Sequence, residues 1–233
     1  RLARRRAGVH QSKPVRLVEH ATTSNISNVE YSENWAGAVY DSYPSGSFTA
    51  VTGTFTVPTP SAPSGGRGSY SASAWVGIDG DTCDTAILQT GLDFTIDGSD
   101  VSYDAWYEWY PDYAYDFSGI SFSAGDTVKL TVTATSTTSG TAVIENVSTG
   151  KTVTQDITSS SALCEENAEW IVEDYEEGDS LVAFADFGTV TFTSAEATTT
   201  SGTVGPSGAT LIDIEQNNEV LTSASTSSDS VTI

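Results

Sequence analysis

Apolar and polar residues alternate with a period of two in several runs of this 233-residue chain, and no long segment fits a helical repeat. Thr127-Val128-Lys129-Leu130-Thr131-Val132-Thr133-Ala134 alternates throughout, as do residues 188–193 and 209–214, so each run half-buries one face of a strand. Turn-forming clusters punctuate them: Ser123-Ala124-Gly125-Asp126, Thr138-Ser139-Gly140, Ser148-Thr149-Gly150 and Glu176-Glu177-Gly178-Asp179. Strands joined this way predict an all-β fold, an antiparallel β-sandwich, and the length suits one domain with a sizeable core. Residues 58–69 lack any apolar period and predict an exposed loop open to proteolytic nicking.

The formal net charge of −22 is unevenly spread. Residues 1–18 hold Arg1, Arg4, Arg5, Arg6, Lys13 and Arg16 and no acid, whereas the remainder sets 31 acids against Arg67, Lys129 and Lys151, a charge of −28. Such a body repels itself at neutral pH and loses that repulsion as carboxylates protonate, which suits work in acid; a merely solubilising or salt-adapted surface is the alternative. Nucleic acid is a poor partner for it. No apolar run approaches a membrane span, so no membrane partner is expected. Residues 1–28 read as a basic pro-segment, or as a disordered tail, and residues 29–233 as the folded domain.

Cys83 and Cys164, in a Ser/Thr-rich chain with sequons at Asn25 and Asn146, point to a secreted, extracellular protein with one disulfide, two buried free thiols being the other reading. A bridge closing so long a loop contributes roughly 4 kcal/mol in the chain-entropy picture. The chain begins at Arg1 rather than Met, which is read as a signal already removed.

Both histidines, His10 and His20, lie in the basic segment. Nucleophile–histidine pairs and His-based zinc sites are therefore not expected in the body, no phosphate or dinucleotide loop is present, and neither metal nor cofactor is indicated. Asp-Thr-Gly and Asp-Ser-Gly are both missing, which removes the usual aspartic-protease signature. Carboxylates, amides and aromatics remain.

Ala168-Glu169-Trp170-Ile171-Val172-Glu173-Asp174-Tyr175 reads as a strand, with Glu169, Ile171 and Glu173 on one face and Trp170, Val172 and Asp174 on the other. In residues 103–112 the same parity joins Asp104, Trp106, Glu108 and Tyr110, leaving Ala105, Tyr107 and Trp109 for the core. A sheet face mixing acids with Trp and Tyr suits a groove for an extended polymer, peptide or glycan, although a solvated outer face would look similar. Gln89 shares a face with Ile87 in an otherwise apolar strand and needs partners or a task.

With these residues assembled, the chain resembles the fungal glutamic peptidases, the eqolisin family, from about Tyr31 to Ile233. The resemblance rests on Asn34-Trp35-Ala36-Gly37-Ala38-Val39, on residues 74–83, on Ile87-Leu88-Gln89-Thr90-Gly91, on residues 103–112 and on residues 164–174. It implies a sandwich of two curved, seven-stranded antiparallel sheets of lectin-like shape, a Cys83–Cys164 disulfide, and a catalytic pair formed by Gln89 and Glu173. Trp35, Asp79, Asp104, Trp106 and Glu108 match cleft residues of the family, and Glu169 is a lower-ranked alternative to Glu173. Some relatives carry further disulfides after the catalytic Glu, where this chain has Glu177-Gly178-Asp179.

The resemblance further implies a pepstatin-insensitive acid endopeptidase acting on protein or peptide substrates. Glu173 would activate water as general base, and Gln89, an amide that neither titrates nor repels its neighbour, would orient that water and stabilise the oxyanion. The pro-segment would be an intramolecular inhibitor. A monomer is expected, with a non-covalent two-chain form if residues 58–73 are excised. A glycoside hydrolase using paired carboxylates, or a carbohydrate-binding module of lectin type, is the alternative.

Overall fold

The structure, a computed structural model, describes residues 9–19 and 29–233. Arg1, Arg4, Arg5, Arg6, His20 and the Asn25 sequon lie outside the described residues.

Two large sheets carry the fold. The first runs Lys151–Thr158, Ser139–Asn146, Thr127–Ser136, Phe48–Thr56, Thr191–Thr199, Val231–Thr232, Ser225–Thr226, with Gly202–Val204 beside Thr191–Thr199. The second runs Glu219–Val220, Thr210–Gln216, Trp35–Tyr40, Ala168–Glu173, Ser69–Ile78, Ile87–Asp97, Asp100–Tyr110, Tyr115–Asp116. Val29–Ser32 joins the second sheet parallel to Thr210–Gln216, in a fold whose strand pairs are otherwise antiparallel among the described residues. The expectation of seven strands per sheet is corrected to eight and nine, because ribbons of two to four residues extend the edges.

Phe48, Val51, Leu130, Val132 and Phe192 of the first sheet meet Val76, Leu92, Trp109, Val172 and Trp170 of the second in one core. Val128, Leu130, Val132 and Ala134 are buried in alternation, as their period requires. The second sheet differs, since residues 87–95 are buried without interruption. Its far side carries another packed layer that includes Trp35, Trp75, Trp106, Ile171 and Ile212. A strand covered on both faces loses its alternation, which explains why Gln89 reads as anomalous in sequence.

Close approach fixes Gly37 in the strand Trp35–Tyr40. Its φ of +145° disfavours a side chain, and a Cβ there would sit 2.1 Å from the Trp170 carbonyl oxygen. Gly37→Ala is expected to cost on the order of 3 kcal/mol, read by urea unfolding at fixed pH, because neither strand can yield without breaking the sheet.

Two expectations need adjustment. Residues 69–73 belong to the buried strand Ser69–Ile78, so the loop open to nicking ends at residue 68 and the 58–73 stretch cannot leave whole without removing sheet. Asn146 is fully buried, and its amide nitrogen donates to Ser121 O and Asp126 Oδ2, each at 2.9 Å. In this fold it ties loops together and is closed to a glycan.

Candidate active site

Three rows of residues cross the far side of the second sheet in register. Val39, Glu169, Gly77, Gln89 and Glu108 form one; Gly37, Ile171, Trp75, Gly91 and Trp106 the next; Trp35, Glu173, Ser73, Asp93 and Asp104 the third. Gln89 and Glu173 therefore share a face two rows apart, and it is Glu169 that is the row-mate of Gln89.

Residues 9–18 run across these rows as part of the folded body. His10–Gln11 pairs antiparallel with Glu176–Glu177, which in turn pairs with Ser180–Leu181 in a small third sheet. The predicted 176–179 turn is thus the tip of a hairpin, with Gly178 at φ +67°. Beyond Gln11 the segment's backbone is met group by group: Ser12 N donates to Glu108 Oε2 (2.9 Å), Gln89 Nε2 to Ser12 O (2.9 Å), Trp35 Nε1 to Lys13 O (3.0 Å) and Asn34 Nδ2 to Pro14 O (3.1 Å). Val15 N donates to Gly80 O and Arg16 N to Asn34 Oδ1. A backbone so fully satisfied by the body is held in a fixed register across the sheet face.

Its side chains add charge. Lys13 Nζ lies 2.5 Å from Glu176 Oε2, Arg16 also pairs with Glu176 and, at 3.6 Å, with Glu33. His10 is buried against Tyr175 and Trp106, its Nε2 3.5 Å from Asp93 Oδ2.

Glu173 is covered by this segment. Trp75 Nε1 donates to its Oε2 at 2.8 Å, and burial pushes its carboxyl up to about 8, against the opposing pull of the Ser12 hydroxyl, the Trp75 indole and the Lys13 amide. The Ser12 hydroxyl lies beside the carboxyl without a well-aligned hydrogen bond. Glu169 is also fully buried, but neither of its oxygens has a hydrogen-bond partner; burial and then Asp79 and Asp81 raise its pKa well above the ordinary range. Its Oε1 would be 2.8 Å from a Cβ on residue 77, so Gly77 makes the room it occupies.

The remaining predicted cleft residues divide. Trp35 and Glu108 grip the segment directly, and Trp106 packs on His10 while donating from Nε1 to Ser73 Oγ at 3.1 Å. Asp104 stands half-buried opposite Asp93. Asp79 is engaged elsewhere: its carboxylate accepts the backbone amides of Cys164, Glu165, Glu166 and Asn167 at 2.7–3.1 Å and so shapes the turn entering the Glu173 strand. Asp79→Ala is expected to cost on the order of 3 kcal/mol by leaving those amides unpaired, while the folded fraction keeps its turnover number; unfolding and active-site-normalised rates separate the two. Cys83 and Cys164 are bonded, and with Asp79 they form the only metal-like grouping among the described residues, its sulfurs already joined.

Sequence reasoning did not single out Asn34, Trp75, Asp93 or Glu176. Asn34 and Trp75 sit inside the family motifs, whereas Glu176 is hidden in a turn cluster and Asp93 in a strand with no local signal.

Residues 33–233 match the Peptidase A4 family. The chain belongs to that family. This A4 peptidase is 55% identical over 253 residues to Aspergillopepsin-2 of Aspergillus niger, covering 98% of this chain and 88% of that protein. It is 42% identical over 242 residues to Scytalidopepsin B of Scytalidium lignicola, covering 99% and 87%. Among solved structures it is similar to scytalido-glutamic peptidase with a transition state analog inhibitor (TM-score 0.78, 44% identity, 86% of this chain and 97% of that one). It is also similar to aspergilloglutamic peptidase from Aspergillus niger (TM-score 0.68, 66% identity, 70% and 97%).

Proposed function

We propose that this A4 peptidase is a secreted, pepstatin-insensitive acid endopeptidase working through Gln89 and Glu173, with residues 1–28 as a pro-segment that blocks its cleft. One observation carries the reading: a single peptide unit, Ser12–Lys13, has its carbonyl on Gln89 Nε2 and its amide beside Glu173. Those are the two atoms that a peptidase must charge and protonate. The disulfide fits an oxidising compartment.

In the open cleft Glu173 takes a proton from water, which attacks the carbonyl; Gln89 Nε2 donates to the developing oxyanion; Glu173 then returns the proton to the leaving nitrogen. Trp75 holds the carboxyl in place through its indole N–H. Glu108 and Trp35 set the register by binding the amide before the reacting carbonyl and the carbonyl after it. The segment inhibits by filling this frame and by keeping Glu173 dry and protonated. Its cations add ion pairs with Glu176 and Glu33 that hold it on the body.

A glycosidase reading is less well supported, because the group that shares a bound peptide unit with Glu173 is an amide and not a second carboxylate. Gln89→Ala is expected to lower turnover of an acid-denatured protein by about 10²–10³ with pepstatin present. Undiminished turnover, or a block by pepstatin, would remove Gln89 from the mechanism or the chain from this peptidase class.

A further inference from the structure

We propose that Ser12–Lys13 is a self-cleavage site, the first bond this chain cuts when it activates itself. The inference rests on the Gln89/Glu173 reading above and adds to it the bond that the cleft presents. The register comes from consecutive backbone contacts: Glu108 holds Ser12 N, Gln89 holds Ser12 O and Trp35 holds Lys13 O, each at 2.9–3.0 Å. Sliding the segment by one residue would turn its side chains over and break the His10–Glu177 and Gln11–Glu176 pairing. Pairing upstream and the Asn34, Gly80 and Glu176 contacts downstream therefore clamp the segment on both sides of one bond.

The chemistry balances with water alone. The water oxygen bonds to the Ser12 carbonyl carbon, the C–N bond breaks with its electron pair going to the Lys13 nitrogen, and the proton that Glu173 removed from water ends on that nitrogen. Ser12 becomes a new carboxyl terminus and Lys13 a new amino terminus. While the segment covers it, Glu173 is seldom in its base form, so the cut is slow: the segment inhibits for as long as it stays whole and is consumed once. After the cut, residues 13–18 keep their own anchors, including Val18 N to Tyr31 O at 2.9 Å, so a chain beginning at Lys13 is an expected intermediate.

The test acidifies the full 1–233 chain to about pH 3, just below the free carboxyl range, and follows new termini by mass spectrometry at early times with an acid-denatured protein added as a reporter. The expected result is a chain starting at Lys13 before any other product, with a rate constant independent of protein concentration. Its formation should be lost in Glu173→Gln and slowed about a hundredfold in Lys13→Pro, which removes the amide N–H beside Glu173. A first cut elsewhere with Ser12–Lys13 left intact, while the reporter is digested, overturns this proposal and leaves the endopeptidase reading standing. If neither is cut, the Lys13→Glu/Arg16→Glu chain, whose segment lacks the cations that pair with Glu176, decides the cause. Digestion by that variant overturns only the self-cleavage site, and failure of that variant as well overturns both.

Discussion

Glu173→Gln is expected to leave the protein folded and to lower its proteolytic turnover by about 10⁴, the upper end of what a lost general base costs. Gln fills the same space, and its oxygen can still accept the Trp75 indole N–H that now reaches Glu173 Oε2. It also removes a buried carboxyl whose ionisation opposes folding, so unfolding free energy near neutrality should be unchanged or higher. Glu169→Gln is the control. Glu169 lies on the same strand and the same face, is equally buried, and is the cross-strand row-mate of Gln89, yet its oxygens make no hydrogen bond to the N-terminal segment. That variant should keep its turnover within a few-fold. The opposite pattern, activity surviving in Glu173→Gln and lost in Glu169→Gln, would exchange their roles.

The fold should also be several kcal/mol more stable at pH 4 than at pH 8. Burial raises Glu169 well above its ordinary value, Glu173 to about 8, and Asp81 and Asp174 to about 7. A carboxyl whose folded pKa exceeds its unfolded one binds its proton more tightly in the native state. Stability is then complete below the unfolded value near 4 and declines as pH rises through the folded value. At about 1.4 kcal/mol per unit, Glu173 alone contributes a loss on the order of 5 kcal/mol between about pH 4 and pH 8, and the other three add to it. The net charge of −22 works in the same direction, since its repulsion grows as the carboxylates ionise. The Lys13 and Arg16 pairs with Glu176 work against it, but both cations are partly exposed and screened. Urea unfolding across this range should show a falling free energy, and Glu169→Gln should flatten it. A free energy that rises from pH 4 to pH 8 would mean that these carboxyls are solvated and ionised in the native state.

Much of this was legible in the chain itself. Period-two runs such as residues 127–134 gave strands with the correct inward face, and parity placed Glu169, Ile171 and Glu173 on one side of their strand and Trp170 and Val172 in the core. Gln89 was visible as an amide that needed a partner, and its partner is a main-chain carbonyl of the chain's own N-terminal segment. What stayed hidden was long-range. No local pattern says that residues 9–18 lie across this sheet face, because their path is imposed by pairing with Glu176–Glu177 and by contacts with Glu108, Gln89, Trp35 and Asn34. The role of Asp79 was hidden for a similar reason. An acid in a family motif reads as a cleft residue, and only the fold shows it collecting four amides of a turn some 85 residues away in sequence.

For Glu173 to act as the base in acid, its carboxyl, at about 8 beneath the segment, must fall into the acid range once the segment leaves and water enters. Carbon-13 detection of the Glu173 carboxyl, assigned by its loss in Glu173→Gln, can follow this in the full chain and in the Lys13→Glu/Arg16→Glu chain. A midpoint near 8 in the first and one close to the ordinary glutamate value in the second would show the base being uncovered as the cleft opens. A midpoint that stays above about 7 in both, two or more units beyond an ordinary glutamate, would contradict Glu173 as the general base of an acid peptidase.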